Sequence, residues 1–377
     1  MMTDNKTTTT TTPHVSTHPP TTGTNKKRPS ESDIYDRQIR LWGAEAQAKM
    51  SKAQVLYIHV TGVSSEVVKN LVLAGIRATI CDTRSLEDVQ ETPSILLPPG
   101  PQSPLQKKEE EEATTTTTTT SRKKTLVGQA VQPFVEELNP LLGTCPLLEK
   151  DASDLTQDDL QNFSVVVASQ IGIDLAIRIS HWTTQKGGIF YLCDTFGMNG
   201  ACLIDLGKDY KYRPEQGKQL LEETTLPSRP ISLEQLWKVP LAHAINRFHK
   251  SPPTVYVQYR CLLEYERRTH HWPTEDVADQ FCQTIQTEVL ANATTGNKGS
   301  TTKDVLQDHP AVTLQALKTL AKQASSEVAP VCAVLGGLIG NEVIKVISGK
   351  GEPAYNTLLL EGTTCKAWTF LIQPKKL

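Results

Sequence analysis

The run from Val55 to Gly75, VLYIHVTGVSSEVVKNLVLAG, limits what this chain can fold into more than any other stretch. Val55 to Val60 is short, apolar and partly β-branched, which predicts a strand. A Gly-containing turn follows, and the spacing from Ser65 to Leu73 predicts a helix. Nucleotide-binding folds seat phosphate at such a β-turn-α unit, on bare backbone N–H groups and the helix N-terminus. The seat needs several glycines, because side chains block the approach of the anion and the backbone angles of the turn. Here only Gly62 is present; His59, Thr61 and Ser64 stand where a G-x-G-x-x-G pattern would place glycine. The geometry of the unit is kept and its phosphate chemistry is removed.

Strand and helix patterns alternate further on. FSVVVAS (163–169) predicts a buried strand, 173–185 a helix, 188–193 a strand and 201–207 another, so the fold class expected is α/β, a doubly wound, mainly parallel, Rossmann-like sheet. Before the turn, YDRQIRLWG and the Ala-rich run to Met50 predict one amphipathic helix on which Arg37 and Arg40 share a face. By itself, that pair reads as a solvated basic face. Asp82 closes the second strand at about the spacing of a ribose-binding carboxylate, but Arg84 follows it by two.

The remaining texture divides the chain. Residues 1–32 are rich in Thr, Pro, Asn and Lys and predict a disordered tail, with Lys26, Lys27 and Arg28 as a minimal import signal or simple solvation. Residues 33–207 form the first part of the sheet domain, interrupted at 91–124 by a Pro-rich, acidic and polythreonine loop. Residues 208–325 carry helical patterns between polar stretches and read as a mainly helical insertion. Residues 326–377 return to the sheet domain through an apolar helix containing Gly336, Gly337 and Gly340, then two strands.

Composition narrows the function classes. A formal net charge of −2 over 377 residues gives no reason to expect nucleic acid or a membrane surface as a partner. No apolar run approaches the roughly 18 residues of a membrane span, and no signal peptide precedes the fold, which predicts an intracellular chain. Eight cysteines are scattered without a C-x-x-C pair, against both a zinc ribbon and a disulfide framework; no metal site is expected. Cys261 and Cys282 lie in apolar helical patterns without a neighbour to activate them and read as buried thiols. The Asn292-Ala293-Thr294 acceptor pattern reads as coincidence.

YDRQIRLWG, the turn with KNLVLAG, the central FYLCDTFGMNGACLIDLG and the late APVCAVLGGLIGNEVIKVISGKGEPAYN occur in the order seen in the activating enzymes for ubiquitin-like modifiers. The chain resembles their ThiF-type adenylation domain, and is most similar to the non-catalytic subunits of SUMO-activating enzymes. The resemblance implies a heterodimer with a catalytic SUMO-activating subunit, which binds ATP and magnesium and forms the thioester with SUMO, while this chain holds no cofactor. It implies a nuclear location, with the cytoplasm left open as a second. Arg37, matching the arginine of Y-D-R-Q, would reach the partner's ATP site in trans, and Arg40 would act more weakly. Catalytic subunits carry an N-R-Q-F loop and a G-K-x-K-A helix start that are not visible here; Gln129 is the nearest match to the lysine. The family's C-terminal ubiquitin-fold domain has no counterpart either. Three other readings stay open: the equivalent neddylation subunit, an autonomous ThiF-type adenylyltransferase, and an NAD-binding oxidoreductase resting on Asp82.

Overall fold

The computed structural model describes residues 34–89, 94–97, 124–216, 219–226, 230–244, 251–290, 306 and 308–373. The basic triplet of the tail, most of the polythreonine loop and Asn292 lie outside them. The principal elements are α1 (Asp36–Trp42), α2 (Ala44–Met50), β1 (Gln54–Ile58), α3 (Gly62–Leu73), β2 (Arg77–Cys81), α4 (Val127–Leu138), β3 (Val165–Ala168), α5 (Ile173–Gln185), β4 (Ile189–Phe196) and β5 (Asn199–Asp205). After them come α6 (Leu233–Lys238), α7 (Thr254–Thr269), α8 (Ala278–Thr284), α9 (Leu314–Gln323), α10 (Ala329–Ser348), β6 (Thr357–Glu361) and β7 (Lys366–Thr369).

The strands form one seven-stranded sheet in the order β7-β6-β5-β4-β3-β1-β2. Strands β2, β1, β3 and β4 run parallel, and β5, β6 and β7 continue the sheet antiparallel. Side-chain alternation divides the interior in two. Leu56, Ile58, Val166, Ala168, Phe190 and Leu192 face a core shared with α5 to α9. Val55, Tyr57, Val165, Val167, Tyr191 and Cys193 face a second core shared with α3, α4 and α10. Covering on both faces is what makes the central strands continuous apolar runs. This is the doubly wound α/β fold expected from the sequence. Residues 208–325 also contain two pairs of two-residue strands, at 211–212 with 224–225 and at 215–216 with 219–220.

Two expectations are corrected. The run from Tyr35 to Met50 is not one helix: Gly43, with φ +84°, separates α1 from α2. A β-carbon is strained at that angle, so the glycine fixes the corner. The second correction concerns α10, whose 20 residues are long and apolar enough to span a membrane by length and composition. In the fold it is a core helix, packed lengthwise on α3. Gly336 and Gly340 make that approach possible, since a β-carbon on Gly336 would lie 2.5 Å from Glu66 Cβ and one on Gly340 3.2 Å from Asn70 Cβ.

Candidate functional site

The β1–α3 turn sits at the C-terminal ends of the parallel strands, where open α/β sheets place their ligands. Its polar groups are turned inward. His59 takes φ +63°, its backbone N–H donates to Cys81 O at 3.1 Å, and its Nδ1 lies 3.2 Å from Gln170 O. Burial, then the nearby Arg84 guanidinium, pulls the His59 pKa down, so the neutral imidazole is favoured. The Thr61 backbone N–H donates to Ser64 Oγ at 2.8 Å, Ser64 N–H donates back to Thr61 Oγ1 at 3.3 Å, and Ser64 Oγ donates to His59 O at 2.9 Å. This reciprocal cap satisfies donors that a phosphate would otherwise receive. Beneath it, Thr61 Oγ1 lies 2.8 Å from Ser169 Oγ, which donates to the buried Asp194; Tyr259 Oη donates to the other Asp194 oxygen at 2.5 Å.

The first amide of the helix has an occupant. Gly62 N–H donates to both carboxylate oxygens of Glu327, at 3.1 and 2.9 Å, and Thr195 Oγ1 donates to Glu327 Oε1 at 3.2 Å. Glu327 stands in the link between α9 and α10, 265 positions away in sequence. A β-carbon on Gly62 would lie 2.8 Å from Cys332 Sγ and 3.2 Å from Glu327 Oε1. The glycine that survives is therefore required by an internal carboxylate and a neighbouring thiol. Nothing in the local sequence pointed to Glu327, because its role depends on the packing of α10 on α3.

Asp82 is sealed in a similar way. Its Oδ2 accepts from Val60 N–H at 2.7 Å and from Arg84 Nη2 at 2.8 Å, while its Oδ1 accepts from Arg84 N–H and Nε. Arg84 also donates to Gln170 Oε1 at 3.0 Å and Val60 O at 3.2 Å, bridging the ends of β1, β2 and β3. The carboxylate at the ribose position is thus neutralised by the cation two residues on. Gln129 turns away, donating to Glu149 at 2.9 Å.

The two arginines are not brought to this turn. Gln38 on α1 donates to Leu73 O at the C-terminal end of α3, and Tyr35 Oη accepts from Asn139 Nδ2 at 2.7 Å. Lys350 Nζ donates to Trp42 O, pinning the other end of α1. The turn lies at the N-terminal end of α3, which at 12 residues is about 18 Å long. Arg40 is paired with Asp36 at 2.9 Å within α1. Arg37 is exposed and has no hydrogen bond or ion pair among the described residues.

Both cysteines of the helical region are buried. Burial pushes the Cys261 thiol up to about 12 and raises that of Cys282, which removes thiolate character from both. Among the described residues no cluster of His, Cys, Asp and Glu fits a metal ion.

No family model matches the chain. Among curated proteins it is similar to SUMO-activating enzyme subunit 1B-1 of Arabidopsis thaliana, 30% identical over 332 residues that cover 86% of this chain and 91% of the relative. The chain belongs to the SUMO-activating enzyme subunit 1 family. Subunit 1 of Xenopus laevis is 27% identical over 363 residues, covering 89% and 93%, and that of Dictyostelium discoideum 24% over 340 residues, covering 88% and 90%. Matches of this breadth take in most of the chain and not the β1–α3 turn alone.

Proposed function

We propose that the chain is the non-catalytic half of a heterodimeric SUMO-activating enzyme, and that its partner binds ATP and magnesium, adenylates SUMO and forms the thioester. Arg37 is the residue this subunit supplies in trans. The observation that supports the reading is the separation just described: an exposed arginine, without a partner among the described residues, is held on a helix pinned at the C-terminal end of α3, the end opposite a turn already filled by the chain's own groups. An arginine so placed does not serve its own turn, and a guanidinium facing outward is free to meet phosphate on another subunit. Exposed apolar groups lie on the surfaces such a partner would cover, including Leu41 on α1 and Val334 on α10, 75% and 51% exposed. The site residues His59, Thr61, Gly62 and Ser64 then maintain the turn rather than bind nucleotide. The location that goes with this reading is the nucleus, with the cytoplasm left open as a second.

The test is reconstitution. The purified chain alone should show no SUMO-dependent exchange between ATP and pyrophosphate; mixed with the catalytic SUMO-activating subunit it should form a one-to-one complex that does. Exchange by the chain alone would make it an autonomous adenylyltransferase, and absence of a complex would remove the subunit reading.

A further inference from the structure

Glu327 reaches the turn from a distant link and makes the contacts that a bound anion makes. Its two oxygens share the Gly62 amide at the start of α3, and a hydroxyl from β4, Thr195, completes the set. The link is tied down on its other side, where Gly197 N–H donates to Ser326 O at 2.8 Å. Glycine at 62 is demanded by steric contact with this arrangement and not by a left-handed angle, since any β-carbon there meets Cys332 Sγ and the carboxylate. A second carboxylate stands close to a helix start next door: a β-carbon on Gly172, which precedes α5, would lie 2.6 Å from both oxygens of Glu266 of α7.

We propose that the β1–α3 turn is a working anion site filled in cis, in which Glu327 is the ligand and its carboxylate holds the place that a phosphate takes in nucleotide-binding folds. The site has two effects. It repels any external anion from the one helix N-terminus the turn presents, and it fastens the start of α10 to the sheet, so that the α3–α10 pair keeps one arrangement. The inference goes beyond the SUMO reading and does not depend on it, because it concerns the full chain without partner or nucleotide.

Glu327→Ala removes a CH2 and a carboxylate, the groups that acetate contains. The melting temperature of the full-length variant and of wild type should be followed in sodium chloride, in sodium acetate at the same ionic strength, and in sodium chloride with acetamide. Whatever its basal value, the variant should gain about 2 to 4 °C from saturating acetate and nothing from acetamide, which has the shape without the charge; wild type should gain from neither. Equal responses of variant and wild type, or rescue by acetamide, would overturn the proposal. If the variant does not fold, the Gly62 amide proton of wild type decides: it should shift as Glu327 titrates and stay unmoved by inorganic phosphate. A phosphate-dependent shift would show that the place is open.

Discussion

Arg84 closes on Asp82 at 2.8 Å, and the carboxylate it neutralises has a fully buried side chain. A buried pair contributes little net stability, yet losing one partner leaves an uncompensated charge that costs about 3 to 5 kcal/mol. Arg84→Met should therefore lower stability by about that amount in urea unfolding, whereas Arg84→Met with Asp82→Asn should cost clearly less than the sum of the singles. Additive costs would mean that the two residues are not coupled.

Arg37→Ala should leave the melting temperature and heterodimer assembly unchanged and slow SUMO adenylation by the complex roughly a hundredfold or more, the effect of losing about 2 to 4 kcal/mol of charge-assisted contact. Arg40→Ala should act more weakly, because Arg40 is engaged with Asp36 on an exposed face. Pyrophosphate exchange by the reconstituted pair reads both. An Arg37→Ala complex of normal rate leaves the subunit as scaffold only.

Stability should fall as pH rises above the ordinary carboxylate values. Burial raises the folded-state values of Asp194, Glu266 and Glu327 above 3.8 for the aspartate and 4.5 for the glutamates. Each group then binds its proton more tightly folded than unfolded, so stability is lost as pH climbs from about those values through the raised ones. Asp151 and Asp159 act oppositely: hydrogen bonds from Ser153 lower Asp151, those from Lys150 and Thr156 lower Asp159 to about 2, and their contribution is lost as pH falls below 3.8. Urea midpoints should pass through a maximum between those limits, and Asp194→Asn should flatten the alkaline side.

Cys365 is the one exposed cysteine; the other seven are buried. Brief alkylation of the native chain should modify one thiol, at Cys365. Cys261→Ala and Cys282→Ala should leave thioester formation on the catalytic partner nearly unchanged, while SUMO trapped on either residue would reverse the roles of the two subunits.

Two neighbouring glycines of α10 should separate cleanly. Gly336→Ala places a β-carbon 2.5 Å from Glu66 Cβ and 3.0 Å from Val63 O, an overpacking that should cost about 1 to 3 kcal/mol. Gly337 faces open space, so Gly337→Ala should be neutral or stabilise by up to about 1 kcal/mol through helix propensity. Denaturant unfolding measures both, and Gly337→Leu offers a separate check, weakening assembly with the catalytic subunit if this face is covered by it.

The sequence by itself determined the sheet and the departure of the turn from the glycine pattern of a phosphate seat. Alternation in VLYI and FSVVVAS divides each strand between two cores, a local property of period two, and a missing glycine at His59 or Thr61 is visible wherever the turn is placed. The family, too, was legible, because strings such as YDRQIRLWG are long and specific. What the sequence could not determine was what fills the turn. Glu327 comes from 265 positions away and reaches Gly62 only because α10 lies on α3 at the distance Gly336 and Gly340 allow. The break at Gly43 was likewise hidden, since an apolar period continues through it while the corner depends on a backbone angle and on Lys350 holding the Trp42 carbonyl. Only the tertiary structure set Arg37 and the turn at opposite ends of one helix: a contact between elements far apart in sequence is decided by packing, and packing leaves no period in the chain.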